Sequence, residues 1–488
     1  MIEGIYFFGD RIRWNLGWPN PNPAGAFVAL WIPLLAALHF AIASAKSPGW
    51  RALSWIVLLA EGVLLFLLCK TYSRGALLAL VVALLFFHAL LFYAFREPRL
   101  RRKAALFLVI RVLMLAVLLG VTGFLARIDP EFVAGDASVG NRATLWRGGM
   151  QMMTHRPMAG WGRGESGSGF MHWFQPLEET AGYAGLVNSY LHVGVERGLR
   201  ILLPCLFAFW LPVAVALLLT RQPGPSRCDI HRVWVFGGAA SILIFLVANI
   251  FSTLWIFERL WLPLVPVVLL IGLGFFLGGN GERLKLIARA AGIALISVVL
   301  FAGVLLGYGH RLRAQSDLEI RIEGDWLRLT SPGEKESPRQ RILILADPAV
   351  LGSDWGKEVR RLALSPEMRS ALIYSPISGL PDAGYRKFPF RADDLTLIVA
   401  GAVDLSDTEL LRRAEKLLWL HPSGRPEDRA PEMPPIKGGL WLPMLDTRGQ
   451  SPVWRSYAAG RGWERNSSGA IGNDLRPYWP ELILDEFE

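Results

Sequence analysis

The stretch Arg74–Arg96, RGALLALVVALLFFHALLFYAFR, sets 21 residues without an acidic or basic charge between two arginines. At 1.5 Å per residue, a helix of that length covers about 30 Å, the hydrocarbon thickness of a bilayer. Runs of similar length recur at 25–45, 52–70, 104–126, 198–220, 233–252, 260–278 and 286–308, which with 75–95 makes about eight predicted spans. The composition agrees, with 52% hydrophobic residues, only 19% charged and a mean hydropathy of +0.35. Of 19 tryptophans, many flank the runs (Trp31, Trp50, Trp210, Trp234, Trp255, Trp261), as an interfacial aromatic belt requires. These features predict an all-α polytopic membrane protein of about eight transmembrane helices.

Basic residues alternate between the spans. Lys46 and Arg51 follow the first, Arg96, Arg99, Arg101, Arg102 and Lys103 the third, Arg221, Arg227 and Arg232 the fifth, and Arg283, Lys285 and Arg289 the seventh. By the positive-inside rule that side is cytoplasmic, which also accounts for the net charge of +10 without nucleic acid. Residues 1–24, the turn Lys70–Arg74, the loop 127–197 and everything beyond about 309 then fall outside. No signal-peptide core precedes the first span, so the chain either starts with its N-terminus outside or follows spans upstream of Met1. The chain divides into a transmembrane domain, 1–308, and a C-terminal domain, 309–488. In the latter, the apolar runs at 341–346, 370–374, 395–400 and 417–420 alternate with helical patterns at 354–364 and 406–416. That order predicts a soluble α/β domain with a mostly parallel sheet. The three cysteines form no disulfide framework, and neither metal-ligand spacing nor a cofactor motif is present, so metal-independent chemistry without a cofactor is expected.

Several polar features gather on the outer side. Arg74 follows Ser73 at the mouth of the third span. Arg142 and Trp146 lie on a predicted amphipathic helix that ends before Pro157 and is expected to lie along the membrane surface, with Leu145, Trp146, Gly149, Met150 and Met153 as its apolar face. Next comes the glycine-rich run 158–170, which contains Arg163 and is either a phosphate cradle or a flexible loop. Asn188, His192, Glu196 and Arg200 recur every four residues and share one helix face. That face either lines a cavity or is solvated, with Glu196 and Arg200 as an ion pair. Inside the spans, Glu61 and Arg111 lie at similar depth and are expected to pair.

With these residues in hand, the chain resembles the O-antigen ligase and O-antigen polymerase superfamily of bacterial membrane glycan-transferring enzymes. The pieces come in the family's order: Trp18 to Ala24 (WPNPNPA), Ser73 to Ala76 (SRGA), Arg142 with Trp146, Pro157 to Gly164 (PMAGWGRG) and Asn188 to Gly198 (NSYLHVGVERG), over roughly 15–275. The resemblance implies that Arg74 and Arg142 hold the diphosphate of an undecaprenyl-linked glycan, with Arg163 a further contact. It also implies transfer of the glycan to a hydroxyl acceptor (a glycan, lipid or protein) at the bacterial inner membrane, in assembly of lipopolysaccharide or another surface polysaccharide. The acceptor-side base would come from Asn188, His192 and Glu196. Family ligases carry a histidine just before the Asn-x-Tyr-Leu stretch, where this chain has Val187; ligation, polymerisation, an altered base and lost catalysis all stay open. Family members usually carry about four more N-terminal spans. The rival readings are a non-catalytic protein that binds lipid-linked glycan and a glycan or lipid transporter.

Overall fold

The computed structural model describes residues 6–8, 11–45, 48–176, 183, 185–221, 229–255, 282–315 and nine strands between 319 and 467. The chain divides into two units, Met1–Ser166 with Gly185–Tyr308, and Gly167–Ala184 with Gly309–Glu488.

The first unit opens with a two-stranded antiparallel hairpin, β1 (Tyr6–Phe8) and β2 (Arg11–Arg13). Four long helices follow: α1 (Pro21–Ala43), α2 (Pro48–Thr71), α3 (Arg74–Ala94) and α4 (Pro98–Thr122). A 3-10 turn (Phe124–Arg127), α5 (Pro130–Gly135), α6 (Ala137–His155) and the start of the short α7 (Glu165–Gly169) lead on to α8 (Ser189–Arg197). α9 (Leu199–Leu219), α10 (Ile230–Phe251) and α11 (Glu282–Ala314) complete the series.

Among the described residues, seven helices are long and apolar enough to cross a membrane. The eighth predicted span, 260–278, lies outside the described residues. The ends of the spans follow capping chemistry more closely than hydropathy. Asn20 caps α1 by accepting from the Asn22 N–H, so that helix starts at Pro21, four residues before the apolar run. α4 begins at Pro98, so the basic cluster 99–103 forms its first turns; it ends at Gly123, whose φ of 72° closes the helix in the left-handed conformation.

α1 and α10 form the centre of the bundle, with 78% and 83% of their apolar windows buried, while α4, at 17%, is peripheral. Small residues let the two central helices meet. A Cβ on Gly237 would stand 2.6 Å from Ala37 Cβ and 3.0 Å from the Pro33 carbonyl oxygen, and the Ser241 hydroxyl donates to Leu30 O at 2.8 Å.

The expected Glu61–Arg111 pair is present and bidentate. Arg111 Nε meets Oε1 at 2.6 Å and Nη2 meets Oε2 at 2.9 Å, with both side chains buried. Arg111 Nη2 also lies 3.1 Å from His39 Nδ1, and Nη1 donates to Phe107 O at 3.2 Å. This cluster ties α1, α2 and α4 together in a medium where a lone charge is costly.

α6 departs from expectation. Leu145, Met152 and Met153 are buried within the protein, so protein and not lipid covers that part of its apolar face. It packs on α8: a Cβ on Gly194 would stand 2.8 Å from Met153 Sδ, and one on Gly149 would stand 3.0 Å from Leu186 Cδ1. An amphipathic pattern marks an apolar face without saying whether lipid or protein covers it.

In the second unit, nine strands pair in the order β11-β10-β9-β8-β7-β5-β6-β4-β3. They are β3 (Glu319–Glu323), β4 (Trp326–Thr330), β5 (Ile342–Ala346), β6 (Ala371–Pro376), β7 (Leu395–Ala400), β8 (Ala414–His421), β9 (Gly438–Pro443), β10 (Val453–Ala458) and β11 (Gly462–Ser467). β6, β5, β7, β8 and β9 run parallel; the outer strands are antiparallel. The four apolar runs read from the sequence lie in β5 to β8. The helical patterns at 354–364 and 406–413 lie outside the described residues, while 414–416, expected as helix, are strand.

Breaking the buried pair from one side strands the other charge, so Glu61→Leu is expected to lower stability by about 3–5 kcal/mol. Glu61→Leu with Arg111→Leu should recover a large part of the loss. Thermal unfolding in detergent measures both; equal destabilisation by the single and double variants would show that the pair does not act as a unit.

Candidate functional site

The turn between α2 and α3 delivers Arg74. Tyr72 adopts a φ of 50°, a left-handed conformation that disfavours a bulky side chain. It is held there by a hydrogen bond from its hydroxyl to Thr122 O and by stacking on Phe124, with ring centroids 5.6 Å apart. Ser73 caps α3 by accepting from the Ala76 N–H, which leaves Arg74 as the first helical residue. Arg13 pins the turn from β2, with Nε donating to Thr71 O and Nη2 to Asn22 Oδ1, both at 3.0 Å.

Asp136 faces Arg74. Its Oδ1 accepts from the Ser138 N–H at 2.9 Å and so caps α6, while Oδ2 takes Arg74 Nη2 at 2.6 Å and lies 3.8 Å from Arg127 Nη1. Arg142 follows on the second turn of α6. Arg13, Arg74, Arg127 and Arg142 lie within one another's field, and Asp136 offsets Arg74, Arg127 and Arg142. Burial first, then Arg127, Arg142 and Arg74, lower the Arg13 guanidinium to about 10. Burial and then Arg74 likewise lower Arg127 and Arg142, against the pull of Asp136.

Four buried donors here have no hydrogen-bond partner: Arg74 Nη1, Arg127 Nε, Arg142 Nε and Trp146 Nε1. Unpaired buried donors cost about 1–3 kcal/mol each, and like charges add repulsion. The arrangement is therefore complementary to an anion with several oxygens. The starts of α3 and α6 add partial positive charge at the same place.

The sequence pointed to Arg74 and Arg142 but not to Arg13, Arg127 or Asp136. An Asp one residue before an α-helical pattern is an N-cap signal that could have singled out Asp136. Arg163 is exposed on the glycine-rich run.

A second cluster forms where that run meets α8. Ser166 Oγ donates to Glu196 Oε1 at 2.7 Å and lies 2.8 Å from His192 Nδ1; His192 Nε2 lies 3.4 Å from the same carboxylate oxygen. Ser166 and Glu196 are buried. Burial lowers the proton affinity of His192 below the usual 6.5, and Glu196 partly restores it. The arrangement holds a carboxylate, a hydroxyl and an imidazole within proton-transfer distance of one another. Ser166 escaped the sequence reading because it is distant in sequence from α8.

Asn188 caps α8, its Oδ1 accepting from the N–H groups of Tyr190 at 2.9 Å and Leu191 at 3.1 Å. Arg200 does not extend the stripe. Gly198, at φ 73°, ψ 175°, ends α8, and Arg200 lies exposed on α9 while Glu196 bonds Ser166.

The glycines of the run serve backbone docking. Trp161 N–H donates to Val195 O at 2.7 Å, Gly162 N–H to Glu196 O at 3.2 Å and Leu199 N–H to Pro157 O at 2.7 Å. A Cβ on Gly160 would lie 2.6 Å from Glu196 O, and one on Gly198 would lie 2.0 Å from Met158 O; both residues have positive φ. This close approach satisfies carbonyls at the end of α8 and seats Ser166 against Glu196. α6 links the two clusters, carrying Arg142 at one level and meeting α8 at Gly149, about 10 Å further along its axis.

Gly198→Ala is expected to abolish correctly folded protein, since the new methyl group would strike a backbone carbonyl. Gly140→Ala, in open space on α6, is expected to be neutral or to stabilise by up to about 1 kcal/mol. Monodispersity after detergent extraction, with melting temperature, distinguishes them.

No curated protein matches the chain. Residues 56–203, from α2 into α9, match the O-antigen ligase family. This stretch is shorter than the 15–275 over which the motifs were read, yet it takes in Arg74, Asp136, Arg142, Ser166, His192 and Glu196. The protein is a multi-pass membrane protein that carries a stretch similar to the O-antigen ligase family at residues 56–203.

Proposed function

We propose that this protein transfers a glycan from an undecaprenyl diphosphate carrier to a hydroxyl acceptor. Its O-antigen ligase domain carries the coarser function, an O-antigen ligase-like role at the membrane in polysaccharide assembly. The observation that carries the finer reading is the arginine cluster, in which four guanidiniums share one field, a single carboxylate pairs with Arg74, and four buried donors lack partners.

In this reading Arg74 and Arg142, with Arg13 and Arg127, bind the diphosphate, and Trp146 Nε1 adds a neutral donor. The acceptor oxygen attacks the anomeric carbon in line with the leaving group. The bond from that carbon to the phosphate oxygen breaks, and the diphosphate leaves with the electron pair and with inversion. Negative charge develops on the leaving diphosphate, and donors held in place for it would lower the barrier without reorganisation. The acceptor proton passes to Glu196, which Ser166 and His192 position. Asn188 spends its carbonyl oxygen on capping and keeps its amide N–H groups for substrate, and Arg163 contacts the glycan from its exposed loop. In this reading the loop 127–197 and residues 309–488 lie on the extracytoplasmic side of the bacterial inner membrane.

One observation favours a rival, a non-catalytic protein that binds lipid-linked glycan. Val187 stands where family ligases carry histidine, and its φ of 49° is strained for a β-branched residue. A deletion strain complemented with wild type or Arg142→Ala separates the two readings. Mass spectrometry of lipid-linked glycan and mature polysaccharide is expected to show the lipid-linked pool accumulating with Arg142→Ala, and turnover reduced roughly 100-fold. Arg142→Lys should restore only part, because an ammonium lacks the planar fork. Full restoration by Arg142→Ala would select the binding protein.

The pH profile offers a separate test. With His192 held below 6.5 by burial, the ring is neutral at pH 7 and gains its proton only as pH falls below the ordinary histidine value. Transfer should therefore stay level above pH 7 and decline below about pH 6.5. His192→Gln should remove that decline; an unchanged acid limb would rule out the assignment.

A further inference from the structure

An apolar groove runs between α2 and α4, outside the clusters described so far. It encloses about 600 Å³ and is lined by Leu59, Gly62, Val63 and Phe66 of α2 and by Met114 and Leu118 of α4. That volume is in the range of ligand sites. Trp55 marks its far end, so it extends about 16 Å along α2 to Phe66, roughly one leaflet of hydrocarbon. Gly62 opens it: a Cβ there would already stand 3.3 Å from Met114 Sδ.

The end of the groove nearest the arginine cluster carries a cation. Lys70, one turn beyond Phe66, holds its Nζ 5.8 Å from the Phe66 ring centroid and 5.6 Å from that of Trp14. No carboxylate among the described residues pairs with it. An ammonium fixed by two aromatic rings above a hydrocarbon-lined groove matches a lipid whose headgroup carries one negative charge. This site is separate from the diphosphate cluster. Trp14 N–H donates to Lys70 O and Arg13 Nε to Thr71 O, so consecutive residues pin the same end of α2. Their side chains then serve different places: Arg13 joins the half-buried guanidiniums of Arg74, Arg127 and Arg142, which suit a polyvalent anion, while Trp14 supports a single ammonium.

We infer that the α2–α4 groove binds one anionic glycerophospholipid, with an acyl chain between Gly62 and Met114 and its phosphodiester on Lys70. The site does not depend on the transfer reaction.

Native mass spectrometry of the full chain, titrated with phosphatidylglycerol or with phosphatidylcholine of the same acyl chains, tests this. Wild type is expected to retain one phosphatidylglycerol in preference to phosphatidylcholine. Lys70→Gln should weaken that binding roughly fivefold and remove the headgroup preference. Gly62→Phe should expel both lipids by filling the groove. Val63→Trp fills it from the exposed face and gives a second reading if Gly62→Phe misfolds. Equal retention of the two lipids by wild type, or unchanged binding in Lys70→Gln and the groove-filling variants, would overturn the proposal. One-for-one displacement of phosphatidylglycerol by a polyprenyl diphosphate would also overturn it, because the groove would then belong to a substrate tail.

Discussion

The carboxylate of Asp136 is the point on which the site's architecture rests. One oxygen caps α6; the other takes Arg74 at 2.6 Å and lies 3.8 Å from Arg127. A single side chain thereby fixes the start of α6, the start of α3 and the end of the 3-10 turn relative to one another. It balances only part of the charge it gathers, because Arg13 and Arg142 lie within the same field. Inside a partly desolvated pocket this imbalance is stronger than in water, since Coulomb energy rises as the effective dielectric falls. A polyvalent anion bound there would relieve it and could partner donors that now have none.

Holding arginines together against their own repulsion requires a stiff frame. The helices that carry the cluster supply it through contacts with no room for a side chain. A Cβ on Gly75 would stand 2.7 Å from Phe251 Cβ, and one on Gly25 would stand 2.8 Å from Thr71 Oγ1. These contacts lock α3 to α10 and α1 to the turn that presents Arg74. Deeper in the bundle, Glu61, Arg111 and His39 lock α1, α2 and α4. Helix association in hydrocarbon gains little from the hydrophobic effect, so close backbone approach and paired polar groups do this work. The same logic governs the glycine-rich run, whose residues let one backbone meet another at the end of α8.

Much of the bundle was legible in the chain itself. Seven spans were read within a few residues because apolar run length is a local property. Their ends shifted where Asn20, Pro98 and Gly123 imposed capping geometry that hydropathy does not weigh. The Glu61–Arg111 pair could be foreseen from matched depth. Arg74 and Arg142 stood out by position and family likeness. Arg13, Arg127 and Ser166 did not, since each reaches its cluster from a distant segment. The expected continuation of the α8 stripe to Arg200 failed because Gly198 breaks the helix before the next turn.

By itself the sequence determined that this protein crosses a membrane several times and which residues it keeps charged at the span ends. Both follow from the free energy of moving local stretches of chain into hydrocarbon. Tertiary structure alone decided which charges share a site, which face of α6 meets protein, and that a serine joins His192 and Glu196. Electrostatic and hydrogen-bond energies depend on separation in space, and chain order does not fix that separation.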